Sequence, residues 1–204
     1  MAALLKKLLE KLADIRQVPY WAFLILFVIS AAISIQTLRG NNLTMIKLRG
    51  VVYEADKNGG DVSTALNNLR RYVHGHMNTD LSSGGNAIKP PIQLKYTYER
   101  LQAAEQQRVN AINSQVYSAA QAYCEQQNPA GFSGRTRVPC IEDYVTRNGV
   151  KAKAIPPSLY QFDFISPSWS PDLAGWSLVV SGLLLVAFIV SFSFNRLLRS
   201  RLNE

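Results

Sequence analysis

The sequence predicts a mainly α-helical protein in which two transmembrane helices flank an external helical bundle with a disulfide-closed loop. Three observations carry this prediction. Residues 20–35 (YWAFLILFVISAAISI) and 176–194 (WSLVVSGLLLVAFIVSFSF) are apolar and free of charge. Each is close to the roughly 20 residues a helix needs to cross about 30 Å of hydrocarbon. Between them, glycines and prolines punctuate helical periodicities, and both cysteines, Cys124 and Cys140, lie in that middle stretch. The organisation expected is an amphipathic cytoplasmic helix over 1–19, transmembrane helices over 20–38 and 173–194, an external domain over 39–172, and a basic cytoplasmic tail over 195–204.

The net charge of +8 is unevenly placed. Residues 1–19 carry Lys6, Lys7, Lys11 and Arg16 against Glu10 and Asp14, and the tail carries Arg196, Arg199 and Arg201 against Glu204. Basic short flanks belong on the cytoplasmic side, and long loops cross largely regardless of charge. Both termini are therefore expected in the cytoplasm, with the middle domain outside the plasma or inner membrane. Residues 39–172 hold fifteen Lys/Arg and eleven Asp/Glu with no dense stripe. That spread argues against nucleic-acid binding, which concentrates positive charge on one element. Trp21, Trp169 and Trp176 sit at the ends of the runs, where indole rings favour the headgroup region, and are read as membrane-interface residues. The spans lack ionisable residues, so no ion or proton path is visible. The first run exceeds a signal-peptide core and follows a long leader, which favours an uncleaved anchor.

Taken in order, residues 2–16 place Leu5, Leu8, Leu9, Leu12 and Ile15 on one face and Lys6, Lys7, Lys11 and Asp14 opposite. Such a helix lies on the inner leaflet. Beyond the first span, Leu38, Met45, Leu48, Val52 and Ala55 fall at three- and four-residue steps, so the helix continues out of the membrane. Gly59 and Gly60 stop it. Asp61 then caps a helix whose apolar set is Val62, Ala65, Leu66, Leu69, Tyr72, Val73 and Met77.

Residues 80–91 (DLSSGGNAIKPP) read as a loop. A long helix follows over 94–124, with the seam Leu94, Tyr98, Leu101, Ile112, Val116, Ala119, Ala120 and Tyr123. Glu105 and Arg108 interrupt that seam. Either they pair there, or the seam rotates through Ala104 and Val109. Residues 126–138 read as a second loop, before a short helix through 141–145 that ends near Asn148-Gly149. After Pro156-Pro157, Tyr160, Phe162 and Phe164 alternate as in a short strand or packed return arm. Ser170-Pro171-Asp172 reads as a helix start with Ser170 capping and Pro171 at the first helical position.

Candidate chemistry is sparse. Cys124 and Cys140 are the only cysteines, and an oxidising compartment favours their pairing. The bridge would close a loop of about 15 residues, which the chain-entropy model values at roughly 3 kcal/mol. Their spacing is not Cys-x-x-Cys, and two cysteines alone make no structural zinc site. In His74-Gly75-His76-Met77 the histidines point to roughly opposite sides of a helix. His74 with Met77, or His76 with Asp80, share a face, but no fuller ligand set assembles. Asp56-Lys57-Asn58-Gly59-Gly60-Asp61 begins like an EF-hand loop, yet has glycine at the fifth position and Asn67 in place of the final glutamate. No nucleophile motif and no phosphate loop is present. Neither a metal nor a cofactor is expected, and the chain is read as a non-enzyme. Ser30 with Ser34 and Ser177 with Ser181 are small-xxx-small pairs, suited to packing the spans together or to homodimerisation.

A helical domain between two spans, with its first helix running straight out of the membrane, resembles the external sensor domains of bacterial chemoreceptors and sensor kinases. The resemblance covers residues 37–172 and is architectural. Those families carry large cytoplasmic output domains, whereas the tails here are short. The stretch LRGVVYEADKNGGDVSTALNNLRRYVHGHM, residues 48–77, is similar to envelope proteins of ultrasmall Saccharibacteria-type bacteria, which implies no known activity. The function expected is a membrane-anchored interaction or assembly component of the cell envelope, partnered by the lipid bilayer and by an envelope protein or a second copy. The alternative is an extracytoplasmic ligand sensor that signals through a separate cytoplasmic partner. The loops 79–91 and 126–138 are the expected contact surfaces, since recognition concentrates on loops held by rigid scaffolds.

Overall fold

The computed structural model describes residues 19–82, 88–127 and 134–202, with side chains from 137 to 197 in the last stretch. The expected amphipathic helix over 2–16 lies outside the described residues, as do the tips of both expected loops. Among the described residues there are five α-helices and one two-stranded ribbon: α1 Tyr20–Asn58, α2 Val62–Gly75, β1 Ile92–Gln93, α3 Lys95–Gln127, α4 Gly134–Asn148, β2 Gln161–Phe162 and α5 Leu173–Leu202. Helices α1 and α5 are both long and apolar enough to cross a membrane.

Helix α1 is uninterrupted for 39 residues, about 58 Å at 1.5 Å per residue. It buries Met45 and Val52, as its periodicity predicts. It stops at Gly59, whose positive φ of 68° suits a residue without Cβ, and Gly60 N–H donates back to Ala55 O at 2.8 Å. Helix α2 begins immediately after Asp61 and buries Ala65, Leu69 and Val73.

The chain divides into two compact units. The first comprises the described parts of residues 1–51, 63–83 and 164–204. Within it α1 and α5 run antiparallel: Ser30 bonds Ser177 and Ser181, while the Tyr20 ring lies 6.4 and 5.7 Å from those of Phe188 and Phe192. The turn after α2 is tied to both helices. Asn78, in the left-handed region that asparagine tolerates, donates to Leu38 O at 3.0 Å. Met77 N–H donates to Ser170 Oγ, and buried Thr79 donates to His76 O at 2.7 Å.

The second unit comprises the described parts of residues 52–62 and 84–163. Here α3 is the spine. Its buried positions run through Val109 to Ala120 and Cys124, and Tyr123 is left outside, exposed at 48%. Of the rotation expected through Ala104 and Val109 only Val109 is buried, since Ala104 is exposed. The Glu105–Arg108 pairing also forms, bidentate at 2.7 Å.

Two expectations need correction. The segment before Cys140 is not loop throughout: α4 begins at Gly134 and accommodates Pro139 by forgoing one backbone bond. Packing of α4 on α3, with the two cysteines at bonding distance, outweighs the proline signal. Helix α3 starts at Lys95, beside the expected start near Leu94; the Leu94 N–H donates to Tyr160 O at 2.8 Å, which continues the ribbon in which Ile92 faces Phe162. The alternating arm 160–164 thus finds its partner just upstream of α3. Finally, Ser170 does not cap α5. Asp172 does, accepting Gly175 N–H at 2.9 Å, and this places Pro171 outside the helix.

Candidate functional site

No cleft with convergent catalytic groups dominates the described residues; its polar clusters bind the protein's own backbone. The first cluster is the interface between α1 and α5. Serine hydroxyls are short enough to let two helices approach, and each has a donor and two acceptor sites to satisfy. Ser34, Ser177 and Ser181 are buried, and Ser30 is half-buried. Ser181 Oγ is 2.8 Å from Ser30 Oγ and 2.8 Å from Ser177 O; Ser34 Oγ donates to Ser30 O at 3.0 Å and lies 3.5 Å from Ser181 Oγ. Ser177 Oγ donates to Ala174 O at 3.0 Å. The small-xxx-small pairs of the two helices therefore face each other. Around this polar seam the large apolar side chains point outward, among them Leu26, Val28 and Ile29 on α1 and Leu183, Val186 and Val190 on α5.

A second cluster joins the same helices further along. Asn41 Nδ2 donates to Asp172 Oδ2 at 3.0 Å and to Met77 O at 3.3 Å. Burial pushes the Asp172 carboxyl up, but hydrogen bonds from Gly175 N–H, Asn41 and Ser170 outweigh it, and its pKa lies below the ordinary carboxylate value. Close approach also demands Gly175, since a Cβ there would collide with the Ser170 carbonyl oxygen. Trp169 and Trp176 pack edge to face at 5.9 Å beside this cluster, and Trp21 stands at the other end of the helix pair. From Trp21 to Asn41 along α1 is about 30 Å at 1.5 Å per residue.

The third cluster lies in the second unit and centres on Asp56, which is 2% exposed. Its carboxylate accepts the N–H groups of Tyr96 at 3.0 Å and Thr97 at 2.7 Å, so it caps α3 from a distant part of the chain. The Thr97 hydroxyl adds a bond at 2.6 Å, and Arg100 reaches both a carboxylate oxygen (3.2 Å) and the Asp56 carbonyl (2.9 Å). The EF-hand-like stretch thus spends its first aspartate on a helix start. Sequence reasoning missed this role, because no spacing rule links Asp56 to residues 96–100.

Two further side chains hold the extended segment 149–156 onto α3. Asn113 bonds both backbone groups of Val150, at 2.9 and 3.0 Å. Glu105 accepts Lys153 N–H at 2.8 Å besides binding Arg108. The Arg108 guanidinium and then the Lys153 amide hold the Glu105 carboxyl down at about 2.

Of the remaining candidates, the Cys124 and Cys140 sulfurs are 2.00 Å apart, with Cα atoms 6.0 Å apart. His74 meets the Phe164 ring edge-on, and His76 stacks on Tyr72 at 4.1 Å while its Nδ1 contacts Tyr72 O. Among the described residues no three His, Cys, Asp or Glu side chains are grouped to hold a metal ion. Compared with models of protein families, with curated proteins and with solved structures, the chain finds no match in any of the three.

Proposed function

We propose that this chain is a membrane-anchored, non-enzymatic interaction or assembly component of the cell envelope. The observation that carries the reading is the inverted polarity of the α1–α5 pair, with bonded serine hydroxyls inside and large apolar side chains outside. Water disfavours that arrangement and hydrocarbon favours it, because lipid supplies no partner for an exposed polar group. The tryptophans at the two ends of the pair and the roughly 30 Å from Trp21 to Asn41 match a bilayer's hydrocarbon thickness. The basic flanks favour cytoplasmic termini and an extracytoplasmic placement of residues 39–172. The hydroxyl, carboxylate and amide clusters bind the protein's own backbone, which suits a scaffold that presents surfaces rather than a site that turns over substrate.

A second reading, an extracytoplasmic sensor, draws on the continuity of α1. A helix unbroken from Tyr20 to Asn58 would carry a shift at one end to the other. The resemblance to chemoreceptor and sensor-kinase domains points the same way.

The experiment is purification of the C-terminally tagged chain from gently solubilised native membranes, with the mass and composition of the complex determined. A complex of fixed stoichiometry is the expected result. A monomer whose melting temperature rises with a small molecule would favour the sensor. A chain released from membranes by alkaline carbonate would overturn both readings.

A further inference from the structure

Beyond the apolar run, α1 carries a second apolar stripe that stays exposed on the helix surface. Met45, Val52 and Asp56 are buried on one side of the helix. About a third of the way round the helix, at 3.6 residues per turn, Leu43, Ile46 and Tyr53 are exposed at 47%, 43% and 38%, and a Cβ added at Gly50 would meet nothing within 4 Å. The Tyr53 hydroxyl donates to Pro91 O at 3.2 Å, which leaves its ring at the helix surface. Positions 43, 46, 50 and 53 advance by three, four and three residues, the a–d–a–d spacing of a heptad. A glycine inside an exposed helix is destabilising relative to alanine. At a seam position it permits close approach of a neighbouring helix.

The charges beside this stripe indicate what covers it. With Leu43 at a, Arg49 falls at g and Glu54 at e of the following heptad. That is the g to e′ relation, five residues apart, that joins two parallel helices. Among the described residues neither side chain has an ion-pair partner, so each is free to meet its opposite on another chain. An antiparallel neighbour would not set Arg49 against Glu54 in this register. Two copies inserted in one bilayer with the same topology are necessarily parallel, which brings identical levels of α1 together.

We infer that a second copy of this chain docks on the 43–46–50–53 face of α1, forming a parallel two-helix seam just outside the membrane, closed by Arg49 of each copy on Glu54 of the other. The inference rests on the membrane reading above and names the partner within it. All its residues lie on one uninterrupted helix, so their register follows from helix geometry alone.

The test is a cysteine scan of the full chain in native membranes, oxidised and then run without reductant, with part of each sample extracted in alkaline carbonate. Dimer yield should peak for Leu43→Cys, Ile46→Cys, Gly50→Cys and Tyr53→Cys and fall for Thr44→Cys, Lys47→Cys and Val51→Cys. In the Ile46→Cys background, Arg49→Glu should lower the yield roughly twofold per ion pair lost, and adding Glu54→Arg should restore it. Carbonate-resistant protein with flat or absent adducts would overturn the inference and leave the membrane reading standing. Adducts at the mass of a different partner would do the same. Release by carbonate would remove both.

Discussion

Helices α3 and α5 both start on an aspartate, but the aspartate comes from different places in the chain. At α5 the cap is adjacent: Asp172 immediately precedes the helix and takes Gly175 N–H three residues on. At α3 it is remote: Asp56, in the last turn of α1, takes the amides of Tyr96 and Thr97 some forty residues downstream. An adjacent cap stabilises one end of one helix. A remote cap fixes the position of that helix as well, so removing it exposes unpaired amides and releases a tertiary restraint together. Asp56 is nearly inaccessible to water, whereas Asp172 is half-buried and shares its load with Asn41 and Ser170. The two starts should therefore respond unequally to the same truncation.

Asp56→Ala carries the largest expected effect, about 3 kcal/mol, from two orphaned amides, a Thr97 hydroxyl without its acceptor and the loss of one of Arg100's contacts. Arg100 is half-exposed, so water screens the ion pair and the backbone donors contribute most of that cost. Denaturant unfolding, with amide exchange at Tyr96 and Thr97, reads it; a loss no greater than that of an adjacent cap would break the comparison. Asp172→Ala should cost about 1 kcal/mol, the usual value of an N-cap. Its local signature is faster exchange at Gly175 without any change at Tyr96.

The smallest effect tests a carboxylate that caps nothing. Glu105 has its pKa lowered from 4.5 to about 2 by Arg108 and Lys153. A depressed carboxylate contributes stability that is fully present above its unfolded pKa and is lost as pH falls through the folded one. Acid titration of the wild-type chain should thus lose stability between about pH 4.5 and 2 on this account. Glu105→Gln should flatten that window, and an unchanged acid slope would show that the pairing is not maintained in solution.

The corrections follow the same division between near and far. Helix α2 starts after Asp61 and α1 stops at Gly59 because caps act within a turn, and local chemistry reveals them. The start of α5 was legible in Ser170-Pro171-Asp172, yet the capping role passed from Ser170 to Asp172. The Ser170 hydroxyl is instead taken by Met77 N–H, a donor 93 residues away in the chain. The alternating residues of 160–164 announced an extended arm, but nothing near them announced Ile92–Gln93 as its partner. Residues 134–138 read as loop because the constraint that draws them into α4, the approach of Cys140 to Cys124, is again non-local. Most of the candidate polar clusters are of this second kind; the serine pairs and the Glu105–Arg108 pair were visible beforehand.

Periodicity, charge bias and turn residues thus prescribe two long apolar helices, a helical middle segment and the positions of most helix ends, because each depends on neighbours within a turn or two. Which side chain satisfies a helix start, which strand accepts the return arm and which serines meet across α1 and α5 depend on groups far apart in the chain. A hydrogen bond needs its partners within about 3 Å, and proximity of that kind exists only after the chain has folded.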